Sequence, residues 1–220
     1  MEMYHSKKRF PILEIAKINI RHNSLLSIIA AIILCFLTTL LIGTTNLERN
    51  SSAMPLEMFV SLIGIILLTP VFQPEQNEEI NDLVSSKYYS ITKVELIRVM
   101  YLVGVIVLLM SVFALYMKIQ NCDITIILIF GAVADAIFLG SMGMLASALT
   151  GNTVIGYMPP LLYYALNIGM GAKLGYFYLF SMSIGNYIGK IWMFATGVLI
   201  IIVSLLCQRF CRRGPFTFSY

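Results

Sequence analysis

Charged residues are scarce in this sequence, making up 12% of its 220 positions, whereas hydrophobic residues make up 59%. The mean hydropathy of +0.85 is far above that of a soluble globular domain. Crossing a bilayer takes about 20 mostly apolar residues, so the chain has room for about six spanning helices and little else. The composition therefore predicts an all-α integral membrane protein and excludes a large separate soluble domain.

Histidine is also scarce, because the only two are His5 and His22, both near the N-terminus. The zinc-binding signature H-E-x-x-H is absent, so metal catalysis has no support. The phosphate-binding loop G-x-x-x-x-G-K-[ST] is absent too, which argues against ATP binding by that route. We therefore expect no catalytic residue, no metal site, no cofactor bound by this chain and no nucleic-acid partner.

The four cysteines lack the spacing of a metal or redox site, and we expect no disulfide framework. Cys207 and Cys211 adjoin the predicted cytoplasmic face of the membrane, a position open to acylation. Unmodified cysteines are the simpler interpretation of the same positions.

Apolar runs predict six spans and one unusual segment. The predicted spans cover residues 24–43, 54–72, 94 or 98–117, 124–149, 154–170 and 190–206. Pro159-Pro160 predicts a kink or break in the fifth span. Residues 172–189 are aromatic and glycine-rich, too apolar for a free loop and poorly suited to a full crossing. We expect this segment to be re-entrant from the outer side, before the sixth span.

Basic residues predict the orientation. If both termini are inside, eleven of the fifteen Lys and Arg residues are cytoplasmic, and Arg49, Lys118, Lys173 and Lys190 are outside. This asymmetry favours a multi-pass protein of the cell membrane with both termini cytoplasmic. Residues 10–23 have the spacing of an amphipathic helix lying in the cytoplasmic interface, although a plain basic flank is equally consistent. The predicted organisation is a cytoplasmic N-terminus (1–23), a six-helix domain (24–206) and a tail (207–220).

One long polar segment, residues 73–98, interrupts the apolar runs between the second and third spans. It contains five of the eleven acidic residues, so it must lie in water. Residues 78–85 read as a short helix, and Tyr88-Tyr89 follow as an aromatic pair suited to a partner's cleft. Such charge runs are usually just solvated faces, but the length of this one favours a surface for a soluble partner.

Asp135 is the one ionisable residue deep inside a predicted span, where a charge costs a few kcal/mol or more. It could belong to a translocation pathway, or it could be a protonated or hydrogen-bonded residue that ties two helices together. The second interpretation is favoured because polar residues commonly join membrane helices. Small residues on the same helix predict close approach by a neighbour: Ala132, Ala136, Gly140, Gly143 and Ser147.

A second group of polar and aromatic residues falls in the fifth predicted span. Tyr157, Tyr163, Tyr164 and Asn167 could line a permissive cavity along the translocation pathway. An aromatic belt at the membrane interface would produce much the same composition.

Four stretches give the sequence a resemblance to a known family. IAKINIRHNSLL before the first span is similar to an amphipathic connecting helix, and PEQNEEINDLVSSKYYSITKVELIR resembles a first cytoplasmic loop. LGSMGMLASALTGNTVIGY is similar to a small-residue fourth helix, and residues 172–189 match the position of a re-entrant outer segment. Together they resemble the membrane subunit of an ABC-2-type ABC transporter, the permease of bacterial exporters.

The resemblance implies a transport subunit rather than an enzyme. Two permease copies, identical or paralogous, would pair and form the pathway between them, in contact with membrane lipid. Each would sit on a separate cytoplasmic ATP-binding subunit, which holds ATP and Mg²⁺. The residues implied to couple the spans to that ATPase are Glu78, Glu79, Asp82, Leu83, Val84, Lys87 and Tyr88.

An alternative is the substrate-binding membrane component of an energy-coupling-factor vitamin importer, which is also a six-span protein of about this size. Ala30-Ala31 in the first span could form its docking face. Because such proteins lack a long coupling loop, residues 73–98 argue against this alternative.

Overall fold

The computed structural model describes residues 24–76 and 91–211, and every regular element in those ranges is helical. The helices are α1 (Leu25–Ile42), α2 (Arg49–Met58), α3 (Ile63–Leu68), α4 (Ile91–Ile119), α5 (Ile126–Thr150), α6 (Thr153–Gly156), α7 (Met158–Met170) and α8 (Ile188–Cys211). Short 3₁₀ helices cover Val60–Leu62, Thr69–Gln76 and Gly171–Phe177. The prediction of an all-α chain is confirmed for this part of the sequence.

Five helices are long and apolar enough to cross a membrane. They cover Leu25–Ile42, Arg49–Pro74, Val94–Ile119, Ile126–Thr150 and Ile188–Phe210. The second of these is the nearly continuous helical run formed by α2, α3 and the two 3₁₀ helices that follow α2 and α3. The predicted fifth span is not among them, because the chain there divides into α6 and α7. The break falls at Tyr157, and Pro159-Pro160 lie in the first turn of α7, where the missing N–H groups of proline break no helical hydrogen bond.

Helix α5 and the span Arg49–Pro74 form the centre of the bundle, since 72% of the most apolar part of each is buried, against 11% for α1 and 17% for α8. The small residues of α5 allow the neighbouring backbones to approach closely. A methyl group added to Gly64 of α3 would collide with the carbonyl group of Ala136, and one added to Gly140 would collide with the carbonyl group of Gly64. The predicted close approach on the small-residue face of α5 is therefore confirmed.

The turns after α1 and α4 lie at the same end of the bundle. Asn46 N–H donates to the Gln120 carbonyl at 3.0 Å, and Asp123 N–H donates to the Leu47 carbonyl at 3.0 Å. Farther along, Gly143 of α5 packs against Thr69 and Gly156, which therefore lie toward the other end.

Helix α7 extends along the bundle from the α6 end toward the segment after the third 3₁₀ helix. The Tyr164 hydroxyl donates to the Met58 carbonyl at 2.5 Å, and the Leu179 N–H donates to Asn167 at 2.7 Å. Residues 178–187 form no regular helix, and Leu179 and Met182 are fully buried there. The aromatic segment thus packs into the bundle, while its predicted path into the membrane stays a prediction.

Three predicted features lie outside the described residues: the amphipathic helix at 10–23, the coupling helix at 78–85 and the basic tail after Cys211. Arg98, predicted to open the third span, is buried, and its guanidinium donates to the Val71 carbonyl. This bond ties α4 to the 3₁₀ helix Thr69–Gln76, where Pro74 lacks the N–H that would otherwise donate to the Val71 carbonyl.

We predict that Gly64→Ala destabilises the protein by about 1–3 kcal/mol, because the added methyl group has no space against the α5 backbone. Thermal unfolding of the detergent-solubilised protein measures the change. Gly104→Ala in α4 is the matched control, since its added methyl group meets nothing within 4 Å. It should keep or slightly raise stability, and equal melting temperatures for the two variants would refute the close contact.

A buried ion triad as the candidate functional site

Three charged side chains from separate helices meet inside the bundle. Lys190 Nζ of α8 lies 2.7 Å from Glu57 Oε1 of α2 and 2.6 Å from Asp135 Oδ2 of α5. Glu57 and Asp135 are fully buried, and Lys190 is 1% exposed. The ammonium also donates to the Leu179 carbonyl. We call Glu57, Asp135 and Lys190 the ion triad.

Glu57 also binds the backbone of the irregular segment. Met182 N–H donates to Oε1 at 2.8 Å, and Ser183 N–H donates to Oε2 at 3.1 Å. Two buried N–H groups of a segment without helical partners are thus satisfied by a carboxylate, and such charge-assisted bonds are stronger than neutral ones. The triad therefore fastens residues 178–187 to α2 and α5.

Local sequence places Lys190 at this point. Asn186 accepts the Ile188 N–H at 3.2 Å just before α8 begins, so Lys190 is in the first turn of the helix. Gly131 of α5 leaves room for the methylene stem of Lys190 and the sulfur of Met182, since an added methyl group would strike both. Gly189 lets the Tyr176 carbonyl approach the start of α8 in the same way.

Two carboxyl groups of the triad face one ammonium, so the cluster has an excess negative charge when both carboxyls are ionised. Within the part of the chain that the structure describes, no further cation joins the cluster. Asp135 Oδ1 is buried and has no hydrogen-bond partner among these residues. A buried ion group is stabilising only when its charges and lone pairs are satisfied, so with both carboxyls ionised this site has capacity for one further positive charge.

A cavity of about 220 Å³ adjoins the triad between α2, α7 and the irregular segment. Its lining residues are Met54, Glu57, Met58, Asn167, Ile168, Tyr178, Phe180 and Ser183. Glu57 is the one triad residue in this lining. The cavity therefore connects the buried carboxylate of α2 with the aromatic surface of the irregular segment.

Of the residues predicted to form a pathway, only Asn167 lines this cavity, and its side chain holds backbone. Asn167 Nδ2 donates to the Tyr163 carbonyl at 2.8 Å, and its Oδ1 accepts from Leu179. The Tyr163 hydroxyl donates to the Phe177 carbonyl, and Tyr157 packs in the same apolar cluster. These contacts join α7 to the segment that follows it, and a pathway role for the four residues stays a prediction.

The structure pairs Asp135 with a lysine, as the interpretation of a residue joining two helices requires. Neither partner, Glu57 nor Lys190, is predicted from the sequence. The distribution of basic residues places Lys190 among the outer-side charges that set orientation, because it begins an apolar run. One signal could have indicated the pairing. A carboxylate inside a span needs a partner, and Lys190 is the charged residue at the start of the last apolar run. The predicted coupling residues, 78–88, lie outside the described residues.

No family model, curated protein or solved structure matches this chain.

We predict that Lys190→Met destabilises the protein by about 3–5 kcal/mol, because it leaves two buried carboxylates without a counter-charge. Thermal unfolding in detergent measures the loss. Adding Glu57→Gln and Asp135→Asn to Lys190→Met should recover much of the stability, since no buried charge then remains.

The control is Asp123→Asn, which removes an exposed carboxylate 4.0 Å from Arg49 and should change stability by less than about 1 kcal/mol. A Lys190→Met protein as stable as the original chain would show that the triad does not hold the bundle together.

Proposed function

We propose that the chain is the membrane permease subunit of an ATP-driven exporter of the ABC-2 type, working with an ATPase on a separate polypeptide. The observation that carries the proposal is the position of the long polar segment. The second and third of the five apolar helices are separated by residues 75–93, which include six acidic or basic side chains between Glu75 and Lys93. A permease driven by a soluble ATPase needs such a water-exposed connection, and this chain carries no phosphate-binding loop of its own.

A sixth crossing by α6 and α7 fits the same architecture. Gly156 packs beside Gly143, whereas Asn167 binds Leu179 beside the triad. Residues 153–170 thus extend along the bundle between its two ends, although α7 alone has 13 residues. The 3₁₀ helix Gly171–Phe177 and residues 178–187 then take the place of the re-entrant outer segment before the last span.

The proposed arrangement places the protein in the cell membrane with both termini cytoplasmic. Two copies, or this chain and a paralogue, would form the pathway between them. The partner ATPase would hold ATP and Mg²⁺, and its closure would move the predicted coupling helix at residues 78–85. Cargo is not fixed by this architecture, since fold does not determine substrate.

We predict that the charge reversals Glu78→Lys, Glu79→Lys and Asp82→Lys together uncouple ATP hydrolysis from transport while leaving membrane insertion intact. The measurement is ATP hydrolysis by the co-purified ATPase, with and without the permease, alongside export from cells. Asp123→Lys, which makes the same charge reversal at one site in the exposed turn before α5, is the control and should leave coupling unchanged.

Normal coupling in the triple variant would contradict the assignment of the coupling helix. A chain that purifies without any ATPase and captures a vitamin with nanomolar affinity would instead favour the importer component.

A further inference from the structure

The cavity beside Glu57 adjoins a triad of two carboxyl groups and one ammonium, and aromatic and thioether side chains line it. We propose that it is a binding site for a small quaternary ammonium group. This inference concerns ligand binding by the chain alone and does not depend on the exporter proposal.

The charge of the triad selects a cation. Lys190 Nζ contacts both carboxylates, and its single charge can neutralise only one of them. Asp135 does not line the cavity, whereas Glu57 does. With both carboxyls ionised, the excess negative charge is shared between Asp135 and Glu57, and the share of Glu57 acts through space on the cavity that it lines. In a site of low dielectric constant, such a charge attracts a cation far more strongly than it would in water.

The ligand set argues against a metal ion. Within residues 24–76 and 91–211 there is no group of three or more His, Cys, Asp or Glu side chains that could hold one. Hard cations require several oxygen ligands, and both oxygens of Glu57 already accept hydrogen bonds.

Because both oxygens of Glu57 already accept hydrogen bonds, a quaternary ammonium is favoured over a primary one. A primary ammonium brings three N–H donors that each need an acceptor, whereas a quaternary group brings none. Tyr178 and Phe180 line the cavity, with their ring centroids 5.7 Å apart in an edge-to-face arrangement. Aromatic rings bind quaternary ammonium groups through cation–π attraction, and the thioethers of Met54 and Met58 adapt to an apolar cation surface.

The size of the cavity limits the ligand. A volume of about 220 Å³ exceeds the roughly 150 Å³ that hold a benzene molecule. It is below the roughly 300–1,000 Å³ of pockets for drug-sized molecules. A trimethylammonium head group is therefore the class of ligand that fits.

The test titrates choline into the purified full chain, held in nanodiscs of phosphatidylglycerol, by isothermal calorimetry. We expect saturable binding. The neutral carbon isostere 3,3-dimethylbutanol should bind at least about tenfold more weakly, because it has the same shape and no charge. Glu57→Gln and Tyr178→Leu should each weaken choline binding, the first by removing the carboxylate and the second by removing a ring.

The variant Asp135→Asn tests whether the triad carries an excess negative charge. Asp135 does not line the cavity, but its loss would leave Lys190 free to neutralise Glu57. We expect at least about tenfold weaker choline binding in this near-isosteric variant. Binding unchanged by Asp135→Asn would show that a proton on Asp135 already balances the triad, and would overturn the proposal. So would the absence of choline binding to the original chain.

Two controls make the result specific. Asp123→Asn removes one negative charge from the exposed turn before α5 and should leave binding unchanged. Melting temperatures identify variants that fail to fold. If a charge variant fails to fold, Tyr178→Leu still tests the proposal, because it leaves the triad unchanged.

A repeat in phosphatidylcholine nanodiscs identifies the source of the group. If choline binding is suppressed there, a lipid head group occupies the cavity. If it is unchanged, the ligand is a soluble molecule.

Discussion

The need to compensate buried charge is the constraint on which this bundle depends. Glu57, Asp135 and Lys190 come from three helices, and none of them could be buried alone without a large desolvation cost. Their meeting requires α2, α5 and α8 to converge at one level. Because Glu57 also accepts two backbone N–H groups, the irregular segment after α7 is fixed by the same cluster. One polar interaction thus aligns helices whose apolar surfaces have little directional preference in lipid.

Close backbone packing complements the triad along α5. Gly131 admits the stem of Lys190, and Gly143 admits Thr69 and Gly156 at the other end of the helix. These glycines are twelve residues apart, about 18 Å along a helix. The triad therefore lies toward one end of the bundle, and the segment leading to the polar loop lies toward the other. In the proposed exporter, a movement of the loop would have to reach the cavity through this tightly packed helix.

Some features were predictable from local sequence because they depend on composition over about 20 residues. Long apolar runs predicted five of the six spans as long helices, and the small residues of α5 indicated a close neighbour. The sequence indicated that Asp135 joins two helices, but not which residues bind it. Lys190 carries no local sign of burial, since a lysine at the start of an apolar run usually extends to the interface. Only its position against Gly131 and the two carboxylates shows otherwise.

The sequence by itself determined that this is a helical, strongly apolar chain with one long polar interruption, because hydrophobic content and the length of each run are local properties. Tertiary structure decided that Glu57 and Lys190 join Asp135, and that a cavity opens beside Glu57. These features depend on contacts between residues as many as 133 positions apart, from Glu57 to Lys190. No local pattern specifies which distant charges will share one buried site.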